Sequence, residues 1–563
     1  MKITFNPNIT TNNQTYKTNR NISQPNFTAR FPDGSKMPKH IKPYIASMNF
    51  ARYNPLTKDF GKYKIPVHNE EISKRLKPQY TSKEFKNLFE FTKSKGTFDY
   101  VMDNKTGFVK TSLIKHKENP LMSDLIWVTD TSHNMALVKS KSPKDCTKVL
   151  NKISELYEGQ QNNFDEVIAN PQKYKHNGFW GGATQTGVGH CFVPQTKQPH
   201  KWFAKTRLES IGNYMQTTAD LIKTGLNGGE YGYKTSKDVP DTVVNSIANC
   251  TKYLKAIHYP TARSCGAWEE QTFASSLTSD TSIINQGVRD VMDIMYSPTE
   301  NKELLNLRNR IQASKHGDVF NDKEGLNNLL KDGEKRITEQ YDIETSKEFS
   351  KKNVKPEDEK YYYRKDDSAL SFMPQTETLN NNVVKDSAKK LLMLKKLSKS
   401  IVKPNGAIRY HNDEYLNLDY HTLKNQWTDN KKKNEAEWFL VSEIANAYGS
   451  VADNLLSQIE KTGKKDTKTT KLLSIALNDE TEHINRSFAR ITPKNMTKSN
   501  GYSCPAYKLP EAYEAVTTRN GKIKYVPGAH SPLTWAESSL YKASEQYINN
   551  LERTEKLGIK IEQ

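Results

Sequence analysis

The sequence predicts a mainly helical chain, an all-α barrel of antiparallel helices behind a small β-containing N-terminal region. Two observations lead there. Apolar residues recur at three- and four-residue steps in segment after segment of the C-terminal three quarters, which is the helical period. The connections between those segments vary in length, which suits antiparallel helices joined around a barrel better than a parallel sheet with its regular crossovers.

Residues 1–40 are rich in Asn, Thr, Pro and Gly with little periodicity, the composition of a disordered or loosely attached arm. Residues 41–140 change to short β-prone runs, Leu125-Ile126-Trp127-Val128 and Met135-Ala136-Leu137-Val138, separated by turn signals such as Asp103-Asn104 and Thr106-Gly107. They read as a small β-containing lead-in domain. From 141 to 563 helices dominate. Val244, Ile247, Thr251, Leu254 and Ile257 form one apolar stripe. Ala388, Leu391, Leu394, Leu397 and Ile401 form a second, and Trp438, Val441, Ala445, Tyr448 and Leu455 a third. A last helix is expected to begin at Pro532, a residue suited to the first helical position, and to run through Leu533, Ala536, Leu540, Ala543 and Tyr547.

At 563 residues the chain is long enough for a large barrel with a smaller part added. Its hydrophobic content is 35%, with no apolar run of spanning length, so no membrane span is expected. The start carries Asn and Thr where a secretory signal needs an apolar stretch, so no signal peptide is recognised and a cytoplasmic location is the default. Five cysteines, Cys146, Cys191, Cys250, Cys265 and Cys504, lie far apart with no C-x-x-C pair; this points to a reducing compartment and to no metal site, and no cofactor is expected. A balance of 84 Lys+Arg against 64 Asp+Glu gives +20, which would suit nucleic acid or an anionic surface. Along the chain, however, the lysines are scattered among acids and only short runs such as Lys431–Lys433 stand out, which argues against nucleic acid. Nothing in the sequence indicates the oligomeric state.

Between the helices lie aromatic, glycine-containing and acidic stretches: residues 264–271, 406–415, 435–440, 509–514 and 530–541. Hydrolysis of a glycosidic bond needs two carboxyl groups across the scissile oxygen, one protonated and one ionised. A carboxyl beside an indole is partly desolvated, which raises its pKa. Glu269 follows Trp268 directly and has Glu270 on its other side, so Glu269 is the better acid. Flat rings for stacking on sugars are available in Trp268, Tyr410, Tyr415, Trp438, Tyr513 and Trp535, and polar groups for gripping hydroxyls in Arg409, Asp413 and Glu270. Each motif alone has an ordinary structural explanation: a core tryptophan beside solvated acids, a surface ion pair, a helix start.

Taken in order, these segments resemble glycoside hydrolase family 15, the glucoamylase-like family, with features of the related N-terminal region of the phosphorylase kinase α and β subunits. The resemblance rests on Trp268-Glu269-Glu270, on Gly406, Arg409, Tyr410, Asp413 and Tyr415, on Trp438 and Leu440, and on Pro510-Glu511 followed by Leu533-Thr534-Trp535. It covers roughly residues 200–545 and implies an (α/α)6 barrel of the six-hairpin glycosidase type. It further implies Glu269 as general acid, Glu511 as general base, and Trp268, Glu270, Arg409, Tyr410, Asp413, Trp438 and Trp535 as sugar-binding groups. The family's first sugar-binding motif, a tryptophan followed closely by Arg-Asp, has its nearest counterpart in Trp202, Arg207 and Glu209, where a glutamate replaces the aspartate. Inverting release of glucose from non-reducing ends of an α-glucan or α-glucoside is the activity so implied. The alternative on the same fold is a non-catalytic glycan-binding or regulatory protein of the phosphorylase kinase type, favoured by the altered Arg207–Glu209 segment. A basic nucleic-acid-binding protein ranks last.

Overall fold

The computed structural model describes residues 54–113, 125–172, 188–193, 196–200, 207–262, 264, 266–268, 278–345, 367–411, 435–494, 496–499, 502–517 and 523–562. The expected arm, residues 1–40, and the lysine run 431–433 lie outside them.

Helices come in alternation. Those that build the two layers of the barrel are, in chain order, α1 (Ser82–Ser94), α2 (Val128–Lys141), α3 (Asp145–Glu158), α4 (Leu208–Leu226), α5 (Asp241–Ala256), α6 (Thr278–Tyr296), α7 (Lys323–Thr345), the 3-10 segment Asp367–Gln375, α8 (Val383–Ile401), α9 (Val441–Thr462), α10 (Thr467–Ala489) and α11 (Thr534–Lys556). Among the described residues, α2 packs on α4, α4 on α6, α6 on the 3-10 segment, that segment on α9, α9 on α11, and α11 back on α2. This is a closed inner ring of six. The remaining elements lie outside it: α1 against α11, α3 against α2 and α5, α7 against α6, α8 against the 3-10 segment and α9, and α10 against α9 and α11. Outer and inner members alternate along the chain, so the architecture is the expected (α/α)6 barrel.

Local chemistry explains the ends of these helices. Thr81 and Glu84 form a reciprocal capping box at α1. Asn382 caps α8 and Asp466 caps α10 through their side-chain oxygens, and α9 stops at Gly463 with φ +65°. The inner 3-10 segment contains Pro374, which has no N–H to continue an α-helical ladder. Helices α4 and α6 meet at glycines: a Cβ on Gly212 would lie 2.8 Å from the Ile283 carbonyl, and one on Gly287 2.7 Å from the Gly212 carbonyl. All three apolar stripes lie on buried faces, except that Ala388 is only half-buried.

Several expectations change. Met135–Val138 is not a strand but the third turn of α2, because Met135, Leu137 and Val138 are buried by neighbouring helices rather than by a sheet. Residues 41–140 also supply α1 and α2, and Ile65, Val67, Phe85 and Phe98 share one apolar core with Trp438, Phe488 and Tyr541. The helical barrel therefore begins well before residue 141, and the β content of the lead-in is largely the hairpin β1 (Leu56–Asp59) with β2 (Lys64–Val67). Pro532 does not open α11; the Ser531–Pro532 peptide is cis and the helix starts at Thr534. Trp438 precedes α9 on a strand.

Strands collect where inner helices begin. β3 (Ile126–Trp127) pairs with β4 (Cys191–Val193), which pairs with β5 (Gln198–Pro199). An antiparallel sheet joins β6 (Val402–Lys403), β7 (Gly406–Ala407) and β8 (Glu437–Trp438) to β11 (Ala512–Thr517) and β12 (Ile523–Pro527). A small hairpin, β9 (Met496–Thr497) with β10 (Ser503–Cys504), forms its own ladder and packs against that sheet through Met496, Cys504 and Tyr513. Arg490, fully buried at the end of α10, holds the five-stranded sheet from below. Its guanidinium donates to the carbonyls of Glu437 at 2.9 Å, Pro510 at 2.9 Å and Asn405, with a longer bond to Glu511. Gly406 is the residue that leaves room for it, since a Cβ there would collide with the guanidinium and with the Trp438 carbonyl. Gly406→Ala is expected to destabilise the protein by about 1–3 kcal/mol, as overpacking does elsewhere, which urea denaturation will read as a lower midpoint.

Candidate functional site

Six inner segments that start at one rim bring their preceding loops together there. Each of the five inner α-helices carries an acidic residue in its first turn, Asp130, Glu209, Asp280, Glu443 and Glu537, and all five are buried. Helix N-termini favour negative charge through their unpaired N–H groups and dipoles.

Arg409 forms the centre of an aromatic cluster at this rim. Its guanidinium carbon lies 4.3 Å from the Trp438 ring, 5.2 Å from Tyr410 and 5.8 Å from Trp268. The Arg409 carbonyl accepts bonds from the backbone and hydroxyl of Ser368 at the start of the 3-10 segment, so the cluster is anchored to an inner element. Ser264 ties the Trp268 loop to α4, its hydroxyl accepting from the N–H groups of Leu208 and Gly266. Trp268 is buried, and its indole N–H has no acceptor among the described residues.

Trp438 faces Ala512 in the ladder between β8 and β11, which sets Glu511 one residue from that pair, and the Glu511 carbonyl accepts from the Phe439 N–H at 3.0 Å. Glu511 is partly open to solvent, and its Oε2 accepts from His530 Nδ1 at 3.2 Å. Burial pushes His530 down, but its hydrogen bond to Glu511 and the charges of Glu511 and Glu514 outweigh it and hold the imidazole above its ordinary value. Glu514 is buried close by and accepts from the Ala529 N–H at 3.2 Å; burial pushes its carboxyl up to about 7. Asn405, Glu437, Pro510 and Glu511 hang on the one Arg490 side chain, so the Trp438 platform and the Glu511 carboxyl are positioned together.

Trp535 is at the same rim but faces inward. Its Nε1 donates to Glu443 at 2.9 Å, and its ring stacks on His133 with centroids 4.5 Å apart. Glu443 also accepts from Ser539 and, at 3.2 Å, from Gln375. Burial pushes this carboxyl up, but the charges of His133 and Lys542 and the bonds from Ser539 and Gln375 hold it below its ordinary value. Sequence reasoning missed Glu443, because an acid in the first turn of a helix usually caps into water. At 100° per residue it lies on the face of α9 opposite the stripe of Val441, Ala445, Tyr448 and Leu455, so no spacing marked it as buried; it is covered because α9 is an inner helix buried on that face too.

Arg207 and Glu209 are brought together as an ion pair through Nε and Oε1, with the side chains only 2% and 1% exposed, and Thr129 reaches Glu209 at 3.4 Å. Trp202, Glu269, Glu270, Asp413 and Tyr415 lie outside the described residues. Among the described residues no group of His, Cys, Asp and Glu could hold a metal ion, and no helix is long and apolar enough to cross a membrane. Four of the five cysteines, Cys146, Cys191, Cys250 and Cys504, are buried.

No protein-family model and no curated protein matches the chain. Solved structures of a glycosidase, the wild type and two single-residue variants, superpose over 83% of this chain and 99% of theirs at 10% identity, with TM-scores of 0.45 and 0.46. A likeness that low says nothing of chemistry.

The Glu511–His530 contact has a measurable consequence. Because the folded imidazole binds its proton more tightly than the unfolded one, its contribution to stability is fully present below about pH 6.5 and is lost as pH rises through the folded value. Histidine NMR is expected to place the His530 midpoint above 6.5, and Glu511→Gln is expected to lower it; a midpoint unmoved by that substitution refutes the pairing.

Proposed function

We propose that the chain is a glycoside hydrolase that releases glucose from the non-reducing ends of α-glucans or α-glucosides by single displacement with inversion. The observation that carries this reading is the arrangement of Arg409 against Trp268, Tyr410 and Trp438, one strand pairing away from the solvent-reachable carboxyl of Glu511. Rings offer flat faces to sugar, and a guanidinium among them grips hydroxyls with its fork of N–H donors. Glu269, the residue after Trp268, protonates the glycosidic oxygen, while Glu511 takes a proton from the attacking water; Glu270 and Asp413 bind the terminal sugar. For inversion the two carboxyl groups stand about 6.5–9.5 Å apart, leaving room for that water.

A second reading, a non-catalytic glycan-binding or regulatory protein, is favoured by one observation. The Arg207–Glu209 pair is nearly closed to solvent, whereas a sugar-gripping pair needs to face the ligand.

Incubation with maltooligosaccharides, isomaltose, trehalose and glycogen separates the two. The hydrolase releases β-glucose, seen by NMR of the fresh product, and Glu269→Gln or Glu511→Gln lowers turnover by about 10²–10⁴-fold while sugar binding persists. Release of α-glucose sinks the inverting mechanism. Binding without release by the wild type establishes the second reading.

A further inference from the structure

The net charge of +20 has no role in sugar hydrolysis, and along the sequence its lysines look dispersed. Folding gathers some of them. On α8 the residues Lys385, Lys389, Leu392, Lys396 and Lys399 follow one another at steps of four, three, four and three, and all five are exposed. At 100° per residue they fall on one narrow face of the helix. Opposite lies the buried stripe of Leu391, Leu394, Leu397 and Ile401, so the basic face points away from the barrel.

The neighbouring outer helix extends this face. α10 packs against α8, with Lys395 close enough to Asp479 to stabilise its charge. The last turn of α9, the turn into α10 and the first turns of α10 carry Lys461, Lys464, Lys465, Lys468 and Lys471, all exposed. Exposed large apolar residues occur on both helices, Leu392 at 56% and Ile475 at 37%.

Elsewhere on the outer surface a number of lysines stand beside acids, and others, such as Lys62, Lys83, Lys144 and Lys302, are single exposed charges among the described residues. Lys77 pairs with Glu84, Lys86 with Glu552, Lys148 with Asp145, Lys152 with Glu155, Lys252 with Asp318 and Lys255 with Asp322. On the α8 face, Lys385, Lys389, Lys396 and Lys399 have no ion pair among the described residues, and Asp386 is occupied by the Asn382 N–H. What sets this face apart is alignment: four unpaired lysines share one face of a single helix, beside the exposed lysines at the start of α10.

We propose that the α8–α10 face docks the protein on an anionic lipid surface. Unpaired lysines supply attraction to acidic headgroups, and Leu392 and Ile475 supply apolar contact at the headgroup boundary. A nucleic acid fits less well, because the face has neither the arginines that fork to phosphates and bases nor exposed rings for stacking. Docking this way lays the barrel on its side and leaves the rim with Arg409 and Glu511 open. The inference does not depend on the hydrolase reading.

Cosedimentation of the full chain with vesicles tests it, using phosphatidylcholine alone and phosphatidylcholine mixed with phosphatidylserine. Binding is expected only to the mixed vesicles and should weaken with added salt. The variant Lys385→Gln/Lys389→Gln/Lys396→Gln/Lys399→Gln should lose about tenfold or more in partitioning, and Leu392→Ser should lose a smaller factor at unchanged salt dependence. A control with the same charge change among ion-paired lysines, Lys86→Gln/Lys148→Gln/Lys252→Gln/Lys255→Gln, should bind as the wild type. Equal loss in the control overturns the proposal in favour of net charge alone. Absence of vesicle binding overturns it outright, and retention of RNA with no vesicle binding assigns the face to a nucleic acid instead.

Discussion

Inner helices that all begin at one rim present their unpaired backbone N–H groups to one another, and much of the rim's chemistry follows from that constraint. An isolated buried carboxylate costs several kcal/mol, yet Asp130, Glu209, Asp280, Glu443 and Glu537 are all buried in first turns. The positive helix ends offset part of that cost, and specific partners offset more: Arg207 for Glu209, Lys508 for Glu537, and the Trp535, Ser539 and Gln375 donors for Glu443. Glu537 illustrates how fine the balance is. Even beside Lys508, burial pushes its carboxyl up to about 8. The rim is thus a place where carboxyl groups of different protonation can coexist, which is what acid–base chemistry requires.

Above the rim the geometry depends on Arg490. A buried guanidinium is costly unless its N–H groups are used, and burial already pulls this one down to about 10. It uses them on carbonyls from three separate stretches of chain, at residues 405, 437 and 510–511. Arginine suits this because its donors are spread in a planar fork, where a lysine would offer one point of charge. Gly406 and the Tyr513 ring, whose hydroxyl donates to the Arg490 carbonyl at 2.8 Å, complete the enclosure. Trp438 and Glu511 are far apart in sequence but share this one support.

The two functional inferences concern different surfaces of the barrel and different physics. At the rim, aromatic faces, a shielded guanidinium and buried carboxyl groups stand close together, where charges interact strongly. On the flank, unpaired lysines and two aliphatic side chains create an exposed surface whose attraction acts through solvent and falls with salt. α8 connects them, since its C-terminal end runs through β6 and β7 into Arg409.

Helical periodicity by itself determined the mainly α class and the buried stripes of α5, α8, α9 and α11, because a helix that packs on a core must repeat its apolar residues every three or four positions whatever surrounds it. Motif order pointed to Trp268, Arg409, Tyr410, Trp438 and Glu511, whose side chains combine ring and charge in a way that packing alone does not demand. Met135–Val138 was misread because a short apolar run suits a buried helix as well as a strand, and only the helices packed around α2 decide between them. Glu443, Arg490 and the lysine face were invisible for a related reason. A glutamate, an arginine or a lysine on a helix looks the same in sequence whether it meets water, a carbonyl or a row of like charges. Only closure of the ring brings residues 405, 437 and 510 around Arg490 and sets Trp535 on Glu443, since those contacts lie between segments that the chain keeps tens of residues apart.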